Sequence, residues 1–494
     1  MNPRVSAPAW WLGAAVVGGS AAVLAWRGLH VPWVYDEAYN LQVVRNLAAG
    51  HGYATDGVLH GADGLELFDF RISTGPVLLV PAAILVWLFG EDPVVYRLAP
   101  VGAWLLLLGL LVVLGRRVAG RWGALLGPAS VLLLDVGRAT DGVSPLVSPG
   151  DVLGEFLATA LVVGAVLAVR RPWSGVLLGL AVMTKTVMLL AVPVLAWAVV
   201  RSAGRDNLLA LHRLLTLAVG VVAPVLLWQL VRLLTLGPDL ATERNRQFVQ
   251  FFRGAGSGMI DRPRIGVLDR LTVETQLWGA LGLLAVGVAC GLMVLGTRRA
   301  HDSAALSKPT DPVLLLIASG GLMQVWWLVL ADMDWVRHVV PGAIMLTAGL
   351  LLGGLRVARH LASESVLRPY VLVAVVAGVG AVAASVALRV LDPAPPQGSR
   401  AEQSEVAAHV AEHGGAYSFV VLDQVPELAI YEDLRVRTLT RDEGQRLVLI
   451  DKWWAMEARD LCGRVELTTP SYLVCRTREL TAAEVDRWRS AGDE

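Results

Sequence analysis

Apolar runs of about twenty residues recur along this chain, near residues 9–27, 95–115, 151–169, 214–235, 277–297, 311–331, 337–356 and 369–390. A run of that length crosses the hydrocarbon of a bilayer as a helix. The segments between several of the runs are short and crowded with arginine. A chain built this way is limited to helices that satisfy their own backbone hydrogen bonds, because lipid offers none. Composition agrees, since 17% of the 494 residues are charged against about 25% in a soluble domain. The mean hydropathy is +0.58. Formal net charge is zero, which gives no basis for a nucleic-acid partner.

Two stretches fix the topology. Residues 174–201 form an apolar run of 28 residues, about 42 Å as a helix. Arginines flank it on both sides, Arg170 and Arg171 before, Arg201, Arg205 and Arg213 after. Both flanks belong in the cytoplasm, so the run is expected to be a hairpin of two short helices turning near Met183–Thr186 at the outer face. Residues 76–90 are expected to be a re-entrant or juxtamembrane helix, because a full crossing would place Arg116, Arg117 and Arg121 outside. With the short run 122–134 counted, the chain makes about eleven crossings, N-terminus inside and C-terminal region outside, its first span an uncleaved anchor. The segment 236–276 then lies outside despite six arginines (244, 246, 253, 262, 264 and 270), so either the topology differs there or the segment meets an anion.

The expected architecture is an all-α polytopic membrane domain (1–390) followed by a small extracytoplasmic α/β domain (391–494). The second is entered through a proline-rich linker at 392–399. Its pattern reads helix 400–413, strands 417–422 and 434–439, helix 441–460, two strands and a helix at 480–491. Cys462 and Cys475 flank strand-like stretches, and a disulfide between them would require an oxidising compartment. Cys290 reads as packing within a span.

The chemistry collects on the outer segments. Asp36 and Glu37 follow the first span directly, where an acidic pair is costly against lipid and useful for taking a proton. Arg71 lies in the same loop. Asp151 and Glu155 open a later span as a second acidic site. Lys185 is one of only three lysines and sits at the expected hairpin turn. Arg337 and His338 precede another span. Carboxylates beside cations suit transfer from a phosphate-linked donor, one carboxylate deprotonating an acceptor hydroxyl while cations hold the departing phosphate. Simpler readings stand beside this one: Asp36 and Glu37 capping a helix, Lys185 snorkelling, Glu155 as an internal hydrogen-bonding partner, Arg337 and His338 as surface anchors, arginines meeting headgroups. The loop carboxylates also offer ligands for a divalent metal. No phosphate-binding glycine loop, His-Glu-x-x-His or Ser-His-Asp set occurs.

In this order the motifs resemble the GT-C-type glycosyltransferases, the polytopic class that includes protein O-mannosyltransferases and lipid A aminoarabinose transferases. The resemblance runs over roughly residues 9–356. It rests on Asp36-Glu37, "FDFRISTGPVLLVPAAILVWLFG" (68–90), "RLAPVGAWLLLLGLLVVLGRRVAGRWGALL" (97–126), "GDVLGEFLATAL" (150–161), "GVLLGLAVMTKTVMLLAVPVLA" (175–196) and "RHVVP" (337–341). It implies inverting transfer of a sugar from a polyprenyl-phosphate donor to a lipid, glycan or protein acceptor at the outer face. Asp36 would be the base, Glu37 its support, and Lys185 with Arg337 the phosphate holders. Many relatives carry Lys-Pro-Pro or His-Pro-Pro where this chain has Thr74-Gly75-Pro76, and a tyrosine where it has His338. Arg71 is the candidate substitute for the missing cation. The rival expectation is a transporter or flippase of an anionic lipid or glycan, which would place its polar groups near mid-membrane.

Overall fold

The computed structural model describes residues 3–486, apart from 34, 56–63, 71, 73, 135–148, 254–265, 300–307, 332–335, 362–367, 392–398, 415–416, 422–434, 438 and 451–457. In chain order the membrane region comprises α1 (Pro3–Gly28), α2 (Tyr35–Ala48), a two-stranded ribbon of β1 (Ala54–Thr55) and β2 (Glu66–Leu67), α3 (Pro76–Phe89) and α4 (Pro93–Leu132). It continues with α5 (Glu155–Leu167), α6 (Ser174–Thr184), α7 (Val192–Arg201), α8 (Asn207–Arg253), α9 (Val267–Arg299), α10 (Pro312–Val329), α11 (Val340–Leu361) and α12 (Arg368–Leu391). Six of the described helices (α1, α4, α8, α9, α10 and α11) are long and apolar enough to cross a membrane.

Helix α4 shows how a membrane sequence packs without an amphipathic pattern. Asp92 caps it, its carboxylate accepting from the Val94 N–H at 2.7 Å, and Pro93 takes the first position, where no N–H is needed. Trp104, Leu107, Leu108, Leu111 and Leu114 form a buried stripe at helical spacing, while Leu105, Leu106, Val112 and Val113 on the other side are exposed. Both sides are apolar because the solvent is lipid. At Ala119–Gly120 the chain leaves helical geometry, Gly120 taking φ +67°. The second arm folds back so that Gly123 lies on Gly115 and Gly127 on the Leu111 backbone, contacts only glycine permits. The runs 95–115 and 122–134 are therefore the two arms of one hairpin, with Arg116, Arg117 and Arg121 around its bend.

The stretch 174–201 is also a reversal. Gly175 packs on Leu217 and Gly179 on Val221, so α6 runs in the direction of α8. Helix α7 then leads back to the start of α8, where Arg213 donates to Ser202 at 2.8 Å. Lys185 sits at the break in extended geometry (φ −147°, ψ 124°), followed by a 3-10 turn over Thr186–Ala191. Helix α3 has 14 residues, about 21 Å, too short to cross, and packs against α2, α4 and α6.

The C-terminal region holds α13 (Arg400–Gly414) and strands β3 (Tyr417–Val421), β4 (Arg435–Arg437), β5 (Arg446–Ile450), β6 (Cys462–Thr468) and β7 (Tyr472–Thr477). They form one sheet in the order β4-β3-β5-β7-β6, with β3 parallel to both of its neighbours and β7 antiparallel to both of its own. The expectation of a helix over 441–460 is corrected at 446–450. Strand β5 is central, and Arg446, Leu447, Val448 and Leu449 are all buried. A strand covered on both faces loses its alternation and reads like a buried helix. Residues 482–486 are helical, and the rest of the helix expected at 480–491 lies outside the described residues. Cys462 and Cys475 are joined by a disulfide between the edge strand and its neighbour, with Cα atoms 5.6 Å apart.

Candidate active site

Helix α2 carries the acidic pair at its start. Asp36 stands one helical turn before Asn40, with its side chain outside the described ones; Arg71 also lies outside the described residues. Glu37 is fully buried and joins its carboxylate to Arg97 of α4, Oε1 to Nη1 at 3.0 Å and Oε2 to Nη2 at 3.2 Å. The Val152 N–H donates to the same carboxylate at 3.2 Å. Arg97 uses its remaining donors on the carbonyls of Pro32 (3.0 Å) and Gly150 (3.1 Å), and Asp151 lies 3.9 Å away. The Trp33 ring covers the guanidinium at 3.9 Å. Arg97 therefore ties together three chain segments: the entry to α2, α4, and the Gly150–Val152 turn. A two-point carboxylate–guanidinium pair is strong and directional, so it fixes the first turn of α2.

The second polar group lies where the hairpin tip meets the Leu153–Glu155 turn. Lys185 Nζ is 2.9 Å from Glu155 Oε1, and both side chains are buried in protein. Asp151 and Glu155, paired in the sequence reading, thus face different cations. Thr74 is the hub of the junction: its hydroxyl donates to the Leu153 carbonyl (2.8 Å) and accepts from the Asn40 amide (3.1 Å), which also donates to Val152 O at 2.6 Å. Gly154 takes φ +85°, and a methyl group there would touch Thr74, Thr184 and the Lys185 chain. Gly75 lies directly on the Met183 carbonyl and donates its N–H to Thr184 O at 3.3 Å. Helix α2, the Thr74-Gly75 turn, the Gly154 turn and the hairpin tip therefore meet around Lys185.

Arg337 is buried and His338 partly buried in a 3-10 turn over Val336–His338, before α11. Burial first, then the charges of Arg337 and Lys185, hold the His338 imidazole well below its usual range, so it is neutral at physiological pH. The turn and the hairpin tip are close enough for their charges to be felt. The arrangement puts two buried cations, a neutral imidazole and one buried carboxylate at one end of the bundle, with Asp36 on the adjacent helix. Among the described residues no group of three or more His, Cys, Asp or Glu side chains gathers as metal ligands would.

Sequence reasoning did not single out Arg97, Trp33 or Asn40, and it marked Thr74 only as the place of a missing cation. Arg97, one turn into an apolar run, reads in the sequence as an arginine reaching for the interface, and only its buried partners show its role.

No protein-family model and no curated protein matches the sequence. The structure is similar to that of ArnT from Cupriavidus metallidurans in the apo state, at 14% identity and a TM-score of 0.58, over 95% of this chain and 98% of that one. It is also similar to ArnT from Cupriavidus metallidurans bound to undecaprenyl phosphate, at 14% identity and a TM-score of 0.57, over 94% and 97% of the two chains. The likeness takes in the membrane helices and the C-terminal region together. This multi-pass membrane protein therefore has the GT-C-like fold of ArnT along nearly its whole length.

Proposed function

We propose that the chain is an inverting glycosyltransferase that moves a sugar from a polyprenyl-phosphate donor to an extracytoplasmic lipid, glycan or protein acceptor. The observation that carries this reading is the buried Lys185–Glu155 pair at the hairpin tip, linked through Thr74 and Asn40 to the helix that bears Asp36. Support comes from the ArnT fold, one of whose structures holds undecaprenyl phosphate. In this reading Asp36 takes the proton of an acceptor hydroxyl. The oxygen attacks the anomeric carbon from the face opposite the phosphate, the bond between that carbon and the phosphate oxygen breaks, and polyprenyl phosphate leaves. Lys185 and Arg337 receive its charge, with His338 as neighbour and Arg71 as the candidate further cation, and Glu155 balances Lys185 while the site is empty. Glu37 and Asp151 act through Arg97 by holding α2 in register. A single base contributes about 10²–10⁴-fold to such a step. Asp36→Asn is accordingly expected to lower turnover by that factor, measured as release of polyprenyl phosphate from a panel of radiolabelled polyprenyl-phosphate sugars with a cell-envelope extract. Undiminished transfer by that variant would remove Asp36 as the base. Donor binding without release by the wild type, in every extract, would favour the transport reading.

A further inference from the structure

The arginine-rich outer segment is not used by the site above, yet it contributes to an unusual cluster. Helix α8 breaks at Gly237 (φ +73°), and its second arm carries Arg244 and Asn245 back beside Arg232. Arg232 is only 9% exposed. Its Nη1 donates to Asn245 Oδ1 at 2.8 Å. Among the described residues its Nε and Nη2 have no hydrogen-bond partner, and neither has Nε of Arg244. Arg244 spends its Nη1 on Glu66 of β2 and on Gln247. The two guanidinium groups are close enough for their charges to repel.

Those idle donors are a specific set. On a guanidinium, Nε–H and Nη2–H point the same way and form a fork that fits two oxygens of a carboxylate or phosphate. A buried charge is retained in proteins when it is paired, and removing the partner of such a charge is strongly destabilising. Of the two adjoining guanidiniums Arg244 pairs with Glu66 and Arg232 bonds the Asn245 amide, which leaves positive charge and an open fork on the buried Arg232. The position is also meaningful. Trp228 lies one helical turn before Arg232 and packs edge-on against Tyr53 and at a tilt against Phe68, at 5.1 and 5.4 Å between centroids. The Tyr53 hydroxyl donates to the Thr74 carbonyl at 3.0 Å, so one aromatic layer separates the arginines from the Thr74–Lys185 junction.

We propose that Arg232 and Arg244 form a binding site for a phosphate-type oxyanion carried by a lipid at the outer face, distinct from the Lys185–Arg337 site. The binding does not depend on the transferase reading; assigning the anion to the acceptor rather than to a bilayer headgroup does. The test uses full-length protein in phosphatidylcholine nanodiscs and equilibrium binding of radiolabelled inorganic phosphate at constant ionic strength. Wild type is expected to show two classes of site. Arg232→Met should lose one class, and Lys185→Met the other. Arg232→Lys keeps the charge without the fork and should weaken its class at least tenfold, and Arg244→Met gives a second route should Arg232→Met fail to fold. In phosphatidylglycerol nanodiscs, loss of the Arg232-dependent class assigns the site to a bilayer headgroup, whereas its persistence assigns it to a phosphorylated acceptor. Phosphate binding unchanged by Arg232→Lys and Arg244→Met overturns the proposal. Because no sugar is transferred in this experiment, its failure leaves the reading of the active site untouched.

Discussion

Gln403, on the first turn of α13, connects the C-terminal domain to the entry of α2. It is fully buried. Its side-chain oxygen accepts from the Trp33 N–H at 3.1 Å, and its amide donates to the Trp33 carbonyl at 3.0 Å and to the Tyr472 hydroxyl at 3.0 Å. One side chain thus copies the hydrogen bonding of a neighbouring strand along the residue whose ring covers Arg97. Gln403→Met keeps the length and removes all three bonds. Two of the three bonds reach residue 33, so at about 1 kcal/mol net for each neutral bond the docking of α13 there loses about 2 kcal/mol. At about 1.4 kcal/mol per factor of ten, the undocked population rises about thirtyfold. Hydrogen–deuterium exchange of the intact protein would show this as protection lost by about that factor in a peptide covering 33–48, with peptides from α10 and α11 unchanged. In the transfer assay turnover should fall more than donor KM rises, because Lys185 is not touched. Unchanged exchange over 33–48 with methionine in place would refute the coupling.

Lys185→Met strands Glu155 in a buried site and should destabilise the protein by about 3–5 kcal/mol, whereas Lys185→Met with Glu155→Leu should recover the thermal midpoint without restoring transfer. Reducing Cys462–Cys475, or replacing both with serine, opens a cross-link spanning 13 residues and should cost the C-terminal domain about 3 kcal/mol, read by thermal proteolysis with and without dithiothreitol. Glu466 gives a pH signature. Burial raises its pKa, but hydrogen bonds from Arg446 (2.7 Å) and Arg476 (2.8 Å) outweigh that and bring it down to about 2, with His409 3.8 Å away. Because the folded value lies below the ordinary 4.5, its contribution is fully present above that pH and disappears as pH falls toward 2. Glu466→Gln should flatten the stability profile of the domain between those limits.

The parts of this molecule that were readable in the sequence are those written locally. The length of 174–201 and the arginines at both ends fix a reversal, and a rare lysine at its middle marks the tip. The Pro-led run at 76–90 has the length of a helix that stops short of crossing. Strand β5 was misread because burial on both faces erases the two-residue period that distinguishes a strand. The partners of Glu37, Lys185 and Trp33 were beyond reach for another reason. Arg97 is 60 positions from Glu37, and Gln403 is 370 from Trp33. Nothing in a single sequence states which distant segments the bundle brings together. Arg232 was hidden by its setting, since an arginine near the end of an apolar run ordinarily reads as one reaching for the interface.

The close seat of Gly75 against the hairpin constrains how this lineage can change. A proline at that position would have no N–H for Thr184 O and no room beside the Met183 carbonyl. Introducing Lys-Pro-Pro or His-Pro-Pro at 74–76 therefore requires the hairpin tip to withdraw, and Gly154, Thr184 and Lys185 to move with it. A cation regained at position 74 alone would displace the threonine that holds Asn40 and Leu153. Positions 74 and 75 are therefore coupled through the hairpin tip, and neither changes without disturbing the surroundings of Lys185.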